Sequence, residues 1–266
     1  MVYLSALKSL PREKTILMRK PNARVSLFFT IVVLGLLPRV AQGQPPPAGP
    51  PPVREGSAEF AFVGTSGNAS TQSLGLGGEF IYRPAPWEAR LKVAFVRNES
   101  DDEVKAESLL LIARVQRAIA PRLAAFGQYG YQRDRFAGIL DRNTVEGGLA
   151  YTVVDYAPHK LVVDGAFGYA NEQRVTGDNI STGTFAVDGL YTLKISETSE
   201  LTEDARFNFS LSESSDWRYA NLLGLTAKIS TFFSLKLSNA VRYVNLPAPG
   251  FKTTDVVTSI ALVAKF

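Results

Sequence analysis

The chain has 266 residues, of which 45% are hydrophobic, 11% aromatic and 20% charged. It contains no Cys and a single His, His159. This excludes zinc fingers, iron–sulfur sites, disulfide scaffolds, cysteine nucleophiles and any site that needs two histidines. The net charge of +4 is confined to the N-terminus: residues 1–43 hold seven Lys/Arg and one acid, which leaves 22 Lys/Arg against 24 Asp/Glu in residues 44–266. A body with a net charge of −2 lacks the basic footprint of a nucleic-acid-binding protein.

The N-terminus reads as an address. Arg19, Lys20 and Arg24 precede an apolar run at residues 25–37, and Ala41-Gln-Gly43 offers small residues at the −3 and −1 positions of a cleavage site. A basic segment, a short apolar run and a small-x-small site define a secretory signal peptide over residues 1–43. The apolar run is too short for a membrane helix, which needs roughly 20 residues. Met18, followed by Arg19 and Lys20, is an alternative translation start. Residues 44–56 follow as a Pro-rich spacer, with six prolines between Gln44 and Val53. Proline can neither donate to a sheet nor continue a helix.

From residue 57 to 266 the hydrophobic period is two. In 87–95, Trp87, Ala89, Leu91, Val93 and Phe95 alternate with Glu88, Arg90, Lys92 and Ala94. Leu235, Leu237, Val241 and Tyr243 alternate with Ser234, Lys236, Ser238 and Arg242. Twelve such segments are expected, at 57–65, 71–83, 87–97, 105–118, 122–133, 143–154, 160–171, 182–195, 201–212, 216–229, 233–245 and 254–266. Most are longer than the usual globular strand of about 5–6 residues and fit tilted membrane strands of about 9–11 residues with wet extensions. Short connections such as 83–86, 119–121 and 156–159 alternate with longer polar ones at 98–104, 133–142, 172–180 and 246–252. Aromatic residues cluster toward segment ends, among them Tyr82, Trp87, Tyr156, Trp217 and Tyr243, as in the two girdles of a membrane barrel. The fold class is therefore all-β: one antiparallel transmembrane β-barrel of about 12 strands, with short turns on the periplasmic side.

The polar faces predict a charged lumen. Its candidate residues are Arg90, Lys92, Arg114, Asp164, Asp188, Arg206, Lys236 and Arg242. With Lys194, Lys228, Glu79, Glu88 and Glu146 added, eight cations stand against five acids, a surplus that favours anions in a pore. Leu91, Val187 and Leu237 are expected to face lipid. The chain ends on Phe266, after Ala264, Leu262 and Ile260 at alternating positions. This terminal aromatic is the expected signal to the barrel assembly machinery.

Three elements resemble those of the salt-induced outer-membrane protein family, long catalogued as a domain of unknown function. The first is Gly64-Thr-Ser-Gly-Asn-Ala-Ser-Thr71. The second is Tyr129-Gly-Tyr-Gln-Arg-Asp-Arg-Phe-Ala-Gly-Ile139, followed by Arg142 and Glu146-Gly-Gly-Leu-Ala-Tyr151. The third is Pro247-Ala-Pro-Gly-Phe-Lys-Thr-Thr-Asp255. The resemblance covers about 57–266 and implies an outer-membrane barrel; it implies neither an enzymatic activity nor a defined substrate.

Catalytic, cofactor and metal sites are expected to be absent. His159 follows Pro158 in a short turn and reads as a solvated turn residue rather than the base of a Ser–His pair. Gly75-Leu-Gly-Gly78 has no helix after it and so is no dinucleotide loop. The run Asn98-Glu-Ser-Asp-Asp-Glu103 reads as a solvated loop rather than a cation site. Arg133, Arg135 and Arg142 read as cross-hairpin ion-pair partners rather than contacts to an external anion. The expected function is a narrow, weakly anion-preferring pore or a structural envelope protein in the cell outer membrane. The expected partners are lipid, the assembly machinery and small solutes or ions. An outer-membrane hydrolase and a soluble periplasmic β-protein are the alternatives; the lone His159 counts against the first.

Overall fold

A computed structural model describes residues 52–66, 71–100 and 103–266. The N-terminal address and most of the spacer lie outside the described residues, as do Asp101 and Asp102 and residues 67–70 of the first resemblance element. The described residues contain no helix.

The twelve strands are β1 (Arg54–Ser66), β2 (Thr71–Tyr82), β3 (Trp87–Ser100), β4 (Glu103–Ala120), β5 (Leu123–Asp134), β6 (Ile139–Tyr156), β7 (His159–Arg174), β8 (Ile180–Lys194), β9 (Ser199–Ser210), β10 (Trp217–Lys228), β11 (Phe233–Val244) and β12 (Thr254–Lys265). Each pairs antiparallel with its neighbours in sequence, and β12 pairs with β1, so the sheet is a closed barrel. Closure leaves no strand edge unpaired, which is why a sheet of this size needs no covering layer. The seam runs from Ser57 opposite Lys265 to Ser66 opposite Val256. Beyond it, Gly56 and Phe266 exchange two backbone hydrogen bonds of 2.8 and 3.0 Å. β1 thus begins at Arg54, within the stretch read as spacer.

The outward face is apolar, as the alternation demands. Phe80, Leu91, Val145, Leu149, Phe167, Leu237 and Ile260 are all exposed. A soluble sandwich would bury this face; here the buried positions lie on the opposite face and are small or polar, including Ala166, Ala170, Thr182, Thr184, Ala186 and Ser234. Inside, Phe126, Ala150 and Ala166 form a cluster with Ala124 and Val162 against it. This apolar packing narrows the lumen on the β5–β7 side.

The strands near the middle of the chain run longer than the alternation predicts. β6 starts at Ile139 and β7 ends at Arg174, so the connections expected at 133–142 and 172–180 shrink to 135–138 and 175–179. The extra residues include Asp141, Arg142, Glu172 and Arg174. Their charge hides the apolar rhythm, yet their backbones continue the ladder, with Arg142 opposite Glu172. The expected loop at 98–104 is likewise mostly strand, with a register shift at Asn98/Glu99. Further shifts in β4–β5, β5–β6 and β6–β7 fall near strand ends, where bulges bend a barrel rim.

Candidate functional site: the lumen and its strapped mouth

One parity of every strand turns its side chains into the barrel, and long charged residues there meet across non-adjacent strands. Arg114 on β4 reaches Asp164 on β7 at 2.6 Å, with its guanidinium 3.7 Å from the centre of the Phe126 ring. Arg206 on β9 donates to both oxygens of Asp188 at 3.0 Å and pairs with Glu146 on β6. Gln128 also donates to Glu146, at 3.3 Å. Lys236 on β11 crosses β12 to Glu59 on β1 at 2.9 Å. Arg90 pairs with Glu88 at 3.1 Å and lies 3.7 Å from Glu79. Arg242 reaches Asp134 at 2.7 Å; β11 and β5 stand on opposite sides of the ring, so this pair spans the barrel.

Lys92 stands opposite Glu79 in the β2–β3 register but makes no ion pair among the described residues, and the same holds for Lys194, Lys228 and Lys265. The cations read from the sequence are therefore mostly neutralised by partners on the same inner surface. Three acids of this surface, Glu59, Asp134 and Glu172, are absent from the lumen set read from the sequence. Extending the parity of Gly130 and Gln132 by one step finds Asp134, and extending that of Gly168 and Ala170 finds Glu172.

Glu172 organises the long-loop end. Only 1% exposed, it accepts from Arg142 at 2.7 Å, Arg174 at 2.7 Å and Arg218 at 2.7 and 3.2 Å. Arg218 also lies 3.6 Å from Asp216. Three guanidiniums on one carboxylate are held only because the carboxylate has two oxygens with four lone pairs. Asp134, equally buried, also accepts from Gln132 at 3.3 Å. Arg133 pairs with Glu107 at 3.2 Å.

Above this layer, residues 245–253 between β11 and β12 form a strap across the mouth. Arg174 donates to the Leu246 carbonyl at 3.2 Å, and the Thr176 hydroxyl donates to the Pro249 carbonyl at 2.6 Å. Ala248, within the strap, is buried. The Phe251 ring sits on Gly138 and the Pro249 ring on Gly177; a Cβ at either glycine would lie 2.6 or 2.8 Å from those rings. Both glycines have positive φ, 74° and 79°, so these two loops need glycine for the turn and for the approach alike. The loop at 135–138 is in turn tied to that at 175–179 by Val175 N–H to Gly138 O at 2.9 Å. The second and third resemblance elements thus meet: Asp134 and Gly138 belong to one, Phe251 and Pro249 to the other, and Arg242 joins them from the strand below.

The short-turn end is built differently. His159 there is no solvated turn residue. Its Nδ1 lies 2.6 Å from Tyr191 Oη, and its ring meets Tyr156 edge-on. Trp87 carries Arg117 over its face at 5.4 Å. His159 is engaged with a phenol rather than a serine, and this aromatic belt contains no nucleophile–base pair among the described residues. The Phe266 ring lies on Gly56, on the outer surface.

The family profile described as "Protein of unknown function, DUF481" matches residues 58–266. No functionally curated protein matches the chain in sequence. Among solved structures, the NanC porin aligns with a TM-score of 0.56 at 9% identity, covering 79% of this chain and 100% of the porin. The translocator domain of the autotransporter NalP from Neisseria meningitidis aligns at 0.49 and 10% identity, over 82% of this chain and 90% of the domain. The KdgM porin in complex with disordered oligogalacturonate aligns at 0.47 and 10% identity, over 79% and 99%. The fold is thus that of an outer-membrane porin, with an outward face suited to lipid.

Proposed function

The chain belongs to the DUF481 family of unknown function, and from that premise we propose that it is an exported outer-membrane barrel acting as a narrow, weakly anion-preferring pore whose outer mouth is closed by the strap at residues 245–253. The observation that carries this reading is the strap itself. It crosses a lumen lined with charge and is held by a handful of contacts rather than by the sheet. Its attachments across the opening, two side-chain hydrogen bonds at about 0.5–1.5 kcal/mol each and two ring-on-glycine contacts, amount to a few kcal/mol, the scale at which a minor open state stays populated. Lys92, Lys194, Lys228 and Lys265, which make no ion pair among the described residues, supply positive charge to the inner wall, with Glu200 opposite Lys194 in the register. Rings of basic side chains favour anions.

In this reading residues 1–43 direct export, 44–53 form the spacer, and Phe266 with the last strand engages the barrel assembly machinery. A role under osmotic stress rests on the resemblance to the salt-induced family. The test is planar-bilayer conductance of the purified protein beside a variant in which residues 247–251 are replaced by two glycines. The wild type should show small, intermittent openings, and the shortened strap a steady conductance several-fold larger.

A second reading is favoured by the Phe126 cluster and the Arg114–Asp164 and Arg242–Asp134 pairs, which fill or bridge the lumen below the strap. It makes the barrel a plugged, structural envelope protein. Silence from both proteins in the bilayer selects this second reading; a large steady wild-type conductance refutes the strap as a closure.

A further inference from the structure

The outer face of the barrel breaks its own rule on one side. At mid-strand, β1 to β8 present outward side chains that are apolar, aromatic or small, such as Phe80, Leu91, Val145 and Phe167. On β9, β10 and β11 the same parity presents Glu203, Asn221 and Asn239. Glu203 shares the outward parity of Phe207, opposite to that of inward Arg206, and it stands fifth in a twelve-residue strand. Asn221 is fifth of twelve in β10, and Asn239 seventh of twelve in β11.

These groups satisfy one another only in part. Asn221 donates to Glu203 Oε1 at 3.2 Å, and Asn239 donates to the Thr258 hydroxyl at 3.0 Å. Glu203 Oε2 accepts no hydrogen bond among the described residues. Hydrocarbon offers neither donor nor water to such a carboxylate.

The arrangement is self-complementary. Leu223 is the register partner of Glu203 on one side and of Asn239 on the other. An acceptor and a donor therefore flank one central leucine, one strand away in each direction. A twofold axis parallel to the barrel axis and passing beside Leu223 turns each copy's acceptor flank toward its partner's donor flank. That is the defining property of an isologous interface.

We propose that the β9–β11 face docks against the same face of a second copy of this chain, forming a dimer in the membrane with Leu223 near its axis. The proposal requires the barrel to be in lipid but not that it conducts.

The chain has no cysteine, so a single introduced thiol reports on one contact. Leu223→Cys, folded in lipid vesicles and mildly oxidised, should give a disulfide-linked dimer. Leu149→Cys, outward on β6 four strands from β10, should stay monomeric. Adding Glu203→Leu and Asn239→Leu to Leu223→Cys should cut cross-linking at least tenfold while the barrel still migrates as a folded species before heating. Native mass spectrometry of the wild type in lipid nanodiscs should give twice the chain mass. Equal cross-linking at both cysteines, a strictly monomeric wild type, or a Leu223→Cys adduct in native membranes with a different protein each overturns the proposal. If the leucine double variant fails to fold, the contrast between the two cysteines alone decides. A chain that does not enter vesicles as a folded barrel at all refutes the membrane reading instead, and the heat shift tells the two failures apart.

Discussion

The long-loop mouth and the short-turn rim close the same barrel by opposite means. At the long-loop end, three loops interlock: rings rest on Gly138 and Gly177, and one buried carboxylate gathers three guanidiniums. At the short-turn end, tight turns close on backbone hydrogen bonds such as Trp87 N–H to Pro84 O and Ile229 N–H to Phe233 O. Aromatic rings there face outward, and the inward Lys194, Lys228 and Lys265 make no ion pair among the described residues. Removing a partner from a buried ion pair is costly, so the long-loop end has traded tolerance for a defined geometry. The short-turn end relies on the ladder and on apolar contact, and it tolerates free charge because these lysines are exposed. The two ends should therefore fail differently.

The largest effect is expected at the seam of the short-turn end. Removing Phe266 deletes the residue that exchanges two backbone hydrogen bonds with Gly56 and lays its ring there. It also removes the terminal aromatic of the last alternating strand. Outer-membrane assembly in cells should fall to near background, measured as loss of the heat-modifiable band from the outer-membrane fraction. Normal levels of folded, outer-membrane-resident protein would contradict a role for this end in assembly.

The contrast between the ends also explains what could be read from the sequence. Strand number, parity and closure were legible because mid-strand residues such as those at 87–95 and 234–243 obey a strict period of two. The mouth was not. Asp141, Arg142, Glu172 and Arg174 continue β6 and β7 in the ladder, but polar residues on both parities erase the rhythm, so they read as loop. The contact of Phe251 with Gly138 joins positions 113 residues apart in sequence, and no local pattern encodes it. The third resemblance element could be located at 247–255, but not the fact that it lies across the opening. Charge pairing was half legible: the cations at Arg114, Arg206 and Lys236 follow from parity, whereas the choice of Asp164, Glu146 and Glu59 depends on strands that are not neighbours.

The next effect belongs to the mouth. Glu172→Gln leaves Arg142, Arg174 and Arg218 converging on a neutral amide. Removing one partner from a buried, hydrogen-bonded cluster typically costs about 3–5 kcal/mol. Glu55→Gln, which disturbs a half-exposed pair with Arg83 at the other rim, should cost about 0–1 kcal/mol. Urea unfolding in lipid vesicles of both variants measures the difference directly. Similar losses would show that burial at the mouth does not set the energetics.

A somewhat smaller loss is expected from the wall between the two ends. Leu237→Arg puts a charge on the lipid face, where the midplane penalty in barrels is about 2–4 kcal/mol. Ser238 is the adjacent inward residue, 2.6 Å from the Ser259 hydroxyl, and Ser238→Arg should lower folding yield less. Equal losses would invalidate the assigned parity.

The smallest effect concerns selectivity, and it sharpens the contrast between paired and unpaired charge. Lys236 is bound to Glu59 at 2.9 Å, whereas Lys92 has no ion-pair partner among the described residues. Each substitution to Gln changes the net charge of the lumen by −1: Lys236→Gln leaves Glu59 uncompensated, and Lys92→Gln removes a free cation. Measured as reversal potentials across a salt gradient in the strap-shortened background, both variants should shift toward cation preference by similar amounts. The double replacement Lys92→Glu with Lys236→Glu should reverse the sign, since it exchanges two cations for two anions beside Glu59 and Glu79. The shift should shrink as salt rises, because the Debye length falls from about 10 Å at 0.1 M to about 3 Å at 1 M. A strongly cation-selective parent would mean that the paired acids, not the free lysines, govern the lumen. A shift confined to one of the two lysines would mean that the other does not line the conducting path.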